Sequence, residues 1–388
     1  MSAPRAYLDH NATAPVRPEV VDGCVAAMAL ANASSVHREG RQARAAIETA
    51  RGRVARLVGA GSASVTFTSG GTEANNLVLR PGFLLTPSGR PVERLIVGAT
   101  EHPSVLSGHS FPGDCVLLVE VGPDGVIDAD ALQAALAASD RAALVSVQAA
   151  NSETGVLQPW SDIAAFCAAA DAAFHGDAVQ VAGRLPIAMT QDGFDALTIS
   201  GHKLGGLPGA GALLVAPGRR GPADAMLRGG SQERGERAGT ENVPAIVGSG
   251  IAADCALRGL QGEVGRLAVL RDEAIAVVRS IAPGATIFGE AARRLPNTLA
   301  FAVPGLRAET ALMALDLAGI AVSSGSACTS GKVGRSHVLA AMGVPATLAA
   351  GAIRVSLGWN STGADLARFR EAFETLLQRL YDRERRAA

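Results

Sequence analysis

Seven short and almost unbroken apolar runs between residues 64 and 215 constrain this chain more than any other feature. They are Ser64 to Thr68, Arg94 to Ala99, Val116 to Val121, Ala143 to Gln148, Ala173 to Asp177, Ala196 to Ser200 and Gly211 to Val215, and Ala-rich stretches separate them. A strand wet on one face alternates apolar and polar residues, whereas a continuous apolar run suits a strand covered on both faces. The pattern predicts an α/β fold, a largely parallel sheet between layers of helix. The glycine-rich, charged segment 228–242 is too long for a plain connection and is read as a functional loop. A helical region from about Val243 to Ile281 then leads into sparser strands near Ala285 to Phe288, Thr298 to Val303, Ile320 to Ser323 and Ile353 to Leu357, and a last helix from about Asp365 to Arg383. This second texture predicts a smaller α+β C-terminal domain. The expected division is 15–257 for the large domain and 258–388, with 1–14, for the small one.

With 388 residues and a net charge of −1, the chain can bury a large core and offers no electrostatic footprint for nucleic acid or membrane. Neither a signal core nor a run long enough to span a bilayer is evident, so a cytoplasmic protein is expected. Five scattered cysteines without a C-x-x-C pair argue against a disulfide framework or a metal site. Cys328 stands apart from the others. It lies in Ser323-Ser324-Gly325-Ser326-Ala327-Cys328-Thr329-Ser330-Gly331, a polar run with little to bury, where a thiol is placed for chemistry rather than packing.

The stretch Ala196-Leu197-Thr198-Ile199-Ser200-Gly201-His202-Lys203 delivers a lysine at a strand end, a candidate Schiff-base amine for pyridoxal phosphate (PLP) or a carbonyl substrate. PLP needs a phosphate cup, a carboxylate for its pyridine nitrogen and a group against its ring. Thr68-Ser69-Gly70-Gly71-Thr72-Glu73 supplies a strand, a glycine turn and a helix N-terminus for the phosphate. Asp177 and His102 end two other predicted strands or the turns that follow them, and in a parallel sheet such ends gather at one edge. Arg354, embedded in an apolar strand, needs a partner, either an internal carboxylate or that of a substrate.

Six ordered segments together resemble the cysteine desulfurases of the class V aminotransferase family. They are Thr68 to Glu73, Thr100-Glu101-His102, Asp177-Ala178-Val179-Gln180, Ser200 to Lys203, Arg237-Ala238-Gly239-Thr240-Glu241-Asn242 and Ser323 to Thr329. The resemblance implies a fold-type I PLP-dependent transferase with a mostly parallel seven-stranded sheet. It implies that Lys203 holds PLP and moves the Cα proton, Asp177 pairs the pyridine nitrogen, Gln180 contacts the ring hydroxyl and His102 stacks on the ring as an acid/base. Gly71, Thr72, Ser200 and His202 would bind phosphate, with Thr240 reaching the phosphate of the partner subunit in a homodimer. Arg354 and Asn32 would hold the carboxylate of L-cysteine, and Cys328 would accept its sulfur. The cysteine loop resembles the long-loop subgroup tied to iron-sulfur assembly, which implies a sulfur-acceptor protein such as an iron-sulfur scaffold. Two positions depart from the family pattern. A pair of asparagines at the ring is Asn151-Ser152 here, and the substrate loop is Ala31-Asn32-Ala33-Ser34-Ser35, without the usual proline. Selenocysteine lyase, an aminotransferase and a sulfur carrier with a merely structural PLP site are the rival readings.

Overall fold

The structure is a computed structural model that describes residues 5–325 and 335–387; Cys328 lies outside the described residues. The strands, in chain order, are β1 (Ala6–Tyr7), β2 (Val65–Thr68), β3 (Arg94–Gly98), β4 (Val116–Val119), β5 (Ala143–Gln148), β6 (Ala173–Asp177), β7 (Ala196–Ser200), β8 (Gly211–Val215), β9 (Thr286–Ile287), β10 (Thr298–Ala302), β11 (Ile320–Ala321) and β12 (Ile353–Ser356). Seven of them form one sheet in the order β2-β8-β7-β6-β5-β3-β4. Only β8 runs against its neighbours, and the remaining pairs are parallel.

The continuous apolar runs serve two cores at once. On β3, β5, β7 and β8, the residues Ile96, Val145, Leu197 and Leu214 join one cluster, while Leu95, Leu144, Ala196 and Leu213 join the cluster on the opposite face. Successive side chains of a strand point to opposite faces, so both sets must be apolar when helices cover both sides. Each fully buried leucine or phenylalanine contributes about 1.5–3 kcal/mol.

A separate antiparallel sheet, β12-β10-β9, pairs Leu299 with Val355 and Phe301 with Ile353. Beside it β1 pairs in parallel with β11, Ala6 opposite Ile320, so the N-terminus belongs to the same layer as the C-terminal strands. At the centre of this third core Phe369 stacks on Phe373, and Phe301 meets Phe373 edge to face.

The 39-residue helix Val243–Ile281 connects the cores. Its first half gives Ile246, Ala252 and Ala253 to the sheet core, and its second half gives Leu270, Ala274 and Val278 to the C-terminal core. The Asn242 side chain accepts from the Ala245 amide at 3.2 Å and starts it. By length and composition alone this helix could cross a membrane, contrary to the sequence reading that no such run exists. More than half of its most apolar window is buried inside the protein, as suits a core helix.

Candidate active site

The ends of β5, β6 and β7 and the start of the helix Gly71–Val78 surround a cavity of about 330 Å³. That volume is at the low end of what small-molecule sites occupy, about 300–1,000 Å³. Its lining includes Gly71, Thr72, His102, Ser152, Asp177, Gln180, Ser200, His202, Lys203 and Arg354, which the sequence places far apart. The C-terminal edge of a parallel sheet is where such convergence is expected, because each strand there gives way to a turn.

Asp177 closes β6, and its two oxygens have separate partners. Oδ1 accepts from the Val179 amide at 3.0 Å, and Oδ2 accepts from Asn75 Nδ2 at 2.8 Å. Asn75 stands one helical turn beyond Gly71, so the turn that forms the glycine cradle also fixes the carboxylate. Among the described residues, Asn75 Oδ1 is buried without a protein partner. The cradle is tight. A Cβ on Gly71 would lie 3.0 Å from Val179 Cγ2 and 3.5 Å from Ser200 Cβ. The turn is pinned from outside by Glu73, which accepts from the Ser69 amide at 2.8 Å and pairs with Arg237 at 2.8 Å.

Lys203 follows β7 in a single 3-10 turn, and its Nζ donates to the carbonyls of Asn11 at 2.5 Å and Ala12 at 2.7 Å. His102 caps a short helix: Nδ1 accepts from the Ser104 amide at 3.1 Å and lies 2.7 Å from Ser104 Oγ. An accepting Nδ1 leaves the proton of the neutral ring on Nε2. Burial first, with Lys203 and His337 adding to it and Asp177 opposing, lowers the pKa of His102. His202 falls to about 4 from burial and then the charges of Lys203 and Arg184, and its Nδ1 lies 3.1 Å from Thr13 Oγ1. Beneath them Glu101 is fully enclosed, and burial raises its pKa well above the usual carboxylate range.

Arg354 resolves the alternative left open by its sequence context in favour of an internal partner that does not exhaust it. Nη2 donates to Asp9 at 2.7 Å and Nη1 to the Ser152 carbonyl at 3.0 Å. Among the described residues its Nε is buried without a partner, and the side chain still borders the cavity.

Three of the expected site residues among those described are not in the lining. Asn151 is buried and spent on structure, with Oδ1 accepting from the amides of Glu153 and Thr154 and Nδ2 donating to the Thr100 carbonyl. The Asn32 side chain accepts from the Ser34 amide at 2.8 Å in a loop beside Gln232. Thr240 lines a neighbouring hollow with Phe67, Ser69, Arg237 and Asn242. Conversely, sequence reasoning missed Asn11, Ala12, Asn75, Ser104 and Gln148. Asn75 had a signal, its i+4 spacing from Gly71 on a helix. Asn11 and Ala12 had none, since they act through backbone carbonyls that every residue carries.

Residues 6–369 match the family model described as aminotransferase class-V. The chain is 41% identical over 383 residues to a protein of Cereibacter sphaeroides named cysteine desulfurase, with 97% of this chain and 96% of that one covered. It is 38% identical to the Dictyoglomus turgidum protein named cysteine desulfurase IscS, over 96% of this chain and 95% of the other. Among solved structures it is similar to a NifS-like protein from Rickettsia africae, with a TM-score of 0.87, 34% identity and coverage of 96% and 99%.

Proposed function

Because the chain belongs to the aminotransferase class-V family, we propose that it is a PLP-dependent cysteine desulfurase that converts L-cysteine to L-alanine and passes the sulfur to Cys328. The convergence of Lys203, Asp177, His102 and Gln180 on one cavity carries this reading. The residues present fit PLP. A glycine keeps the helix start open where a Cβ would crowd Val179, and a buried carboxylate, an imidazole and a lysine share the same walls. Gly71, Thr72, Ser200 and His202 would hold the phosphate, Asp177 the pyridine nitrogen and Gln180 the ring hydroxyl, with His102 against the ring. When bound, PLP supplies an electron sink that stabilises the carbanion left by loss of the substrate's Cα proton.

The protein's part is positioning and proton movement. Lys203 Nζ is tethered by two carbonyls at the cavity wall, where it can hold the cofactor covalently and, once released, carry the Cα proton. His102, kept neutral by burial and fixed by Ser104, offers an Nε2 proton to a developing anion. Arg354 has a buried Nε unspent for a substrate carboxylate. Cys328 reacts as thiolate, since a thiol of pKa about 8.5 is a weak nucleophile when protonated. Its sulfur forms the S–S bond as the substrate C–S bond breaks, the electron pair stays with the substrate carbon, and that carbon takes up a proton to give alanine. A persulfide remains on Cys328 for an acceptor of the iron-sulfur-scaffold or thiolation type. We propose a homodimer, since Thr240 sits outside its own subunit's cavity and the family resemblance assigns it to the partner's phosphate.

Alanine release from L-cysteine with a reductant tests the activity. Cys328→Ser should reduce it at least about a hundredfold while PLP content stays unchanged. After one turnover without reductant, mass spectrometry should find the added sulfur on Cys328. Parental alanine release by Cys328→Ser, or sulfur on Cys24, Cys115, Cys167 or Cys255, would refute the sulfur transfer.

A further inference from the structure

Behind Lys203 lies a second cavity of about 200 Å³ that the proposed reaction does not use. His10, Arg17, Arg184, Lys203, Glu263 and Trp359 border it, with Cys255 at its side. Its charge is unbalanced. Arg184 is buried, and its partners are neutral: the carbonyl and side-chain oxygen of Gln180 and the His10 carbonyl at 3.1 Å. Arg17 donates through Nε to the Leu204 carbonyl at 2.9 Å and lies over the Trp359 ring at 5.3 Å. Its two terminal nitrogens bond to no protein atom among the described residues. The carboxylate in the lining, Glu263, has both oxygens taken by Arg266 in a fork at 2.8 Å. His10 is 1% exposed, its ring shares a hydrogen bond with the Asn360 side chain, and burial and then the charge of Arg184 lower its pKa to about 3, so the ring is neutral; among the described residues its Nε2 has no partner.

Buried guanidinium groups without a carboxylate are costly, and in proteins such charges are paired. Among the described residues no carboxylate bonds to buried Arg184 or to half-buried Arg17, and Glu19 and Glu263 act on Arg17 only through their charge, while space is present. Loss of hydration, followed by repulsion from Arg354, pulls Arg184 down to about 9, the behaviour of a cation short of a counter-charge. We propose that this cavity is a binding site for a small inorganic anion, held by Arg17 and Arg184 beside the His10 ring. Bound there, the anion would neutralise the cluster at the back of Lys203, so that occupancy of a buried pocket conditions the electrostatics of the cofactor lysine. The inference does not depend on the desulfurase reading, because it concerns charge balance alone.

The test uses the full-length, PLP-loaded protein. Thermal unfolding is followed in gluconate, chloride and phosphate at one ionic strength, and bromide-soaked crystals are examined for anomalous scattering. Chloride or phosphate should raise the midpoint by about 2 °C or more over gluconate, the increment of an anion held well above its Kd. A rise with chloride alone assigns a halide, and a rise with phosphate alone assigns an oxyanion. Arg17→Gln should lose the increment, and Arg17→Lys should keep part of it. Equal midpoints in all three salts, or a full increment retained by Arg17→Gln, would overturn the proposal. Should Arg17→Gln fail to fold, the wild-type crystal decides: a bromide peak among Arg17, Arg184 and His10, together with the midpoint shift, upholds the site, and a shift from chloride without any peak there refutes it.

Discussion

Asp9→Asn separates the two demands made on Arg354. In the folded protein Arg354 is 3% exposed, and its ion pair with Asp9 spans 2.7 Å, while the Asp9 side chain is 19% exposed. Breaking a fully buried pair costs about 3–5 kcal/mol, and an exposed pair contributes about 0–1 kcal/mol. With one partner buried and the other partly wet, and with the Ser152 carbonyl still bound to Nη1, the loss should be about 2–3 kcal/mol. At an unfolding entropy of about 2.1 cal/mol/K per residue, a chain of 388 residues loses about 3 °C of melting temperature for that change. Substrate binding should move the other way. If Arg354 holds the carboxylate of cysteine as proposed, Asp9 competes with it for one guanidinium, so removing the Asp9 charge should tighten cysteine binding by up to about tenfold, or about 1.4 kcal/mol. Scanning calorimetry gives the first quantity, and spectral titration of the Cys328→Ser background with L-cysteine gives the second without turnover. A variant that melts with the parent and binds cysteine equally well would show that the pair neither stabilises the fold nor restrains the arginine. Weaker cysteine binding would mean that Asp9 orients Arg354 rather than competing for it.

Lys203→Ala should abolish the visible absorbance of covalently held PLP, and retention of that band would remove Lys203 from its assigned role. Ser152→Asn should leave PLP affinity unchanged or tighten it, since the side chain borders the cavity and the family's ring contact is an asparagine; a marked loss, measured by cofactor titration, would show that this chain packs the position differently. His175 lies between Ser146 at 2.9 Å and Thr198 at 3.0 Å, and burial lowers its pKa from 6.5 to about 4. A depressed imidazole is neutral in the folded state while the unfolded chain takes a proton, so its stabilising contribution is full above 6.5 and falls as pH drops to about 4. At about 1.4 kcal/mol per pH unit the loss reaches about 3 kcal/mol. The difference in urea midpoint between parent and His175→Gln should therefore shrink over that window, and a constant difference would refute the assignment.

The sequence alone determined the large sheet and the residue types that gather at its edge. Ala143–Gln148, Ala173–Asp177, Ala196–Ser200 and Gly211–Val215 are strands over the expected residues, because burial on both faces leaves a continuous apolar signature that needs no tertiary information. Predicted strands at Arg94 and Val116 stop short of Ala99 and Val121, since apolar residues also fill the turns that follow. The residue types of the site were likewise legible, because a lysine, an aspartate and a histidine at strand ends are poorly explained by packing. What the tertiary structure decided was partnership. Whether Arg354 faced a carboxylate, which side chain steadied Asp177 and which carbonyls held Lys203 depended on segments far apart in the chain: Asp9 is 345 positions from Arg354, Asn75 is 102 from Asp177, and Asn11 is 192 from Lys203. Only folding sets those distances. A buried charge takes whatever acceptor the packing brings within 3 Å, and a local pattern of residues carries no record of that choice.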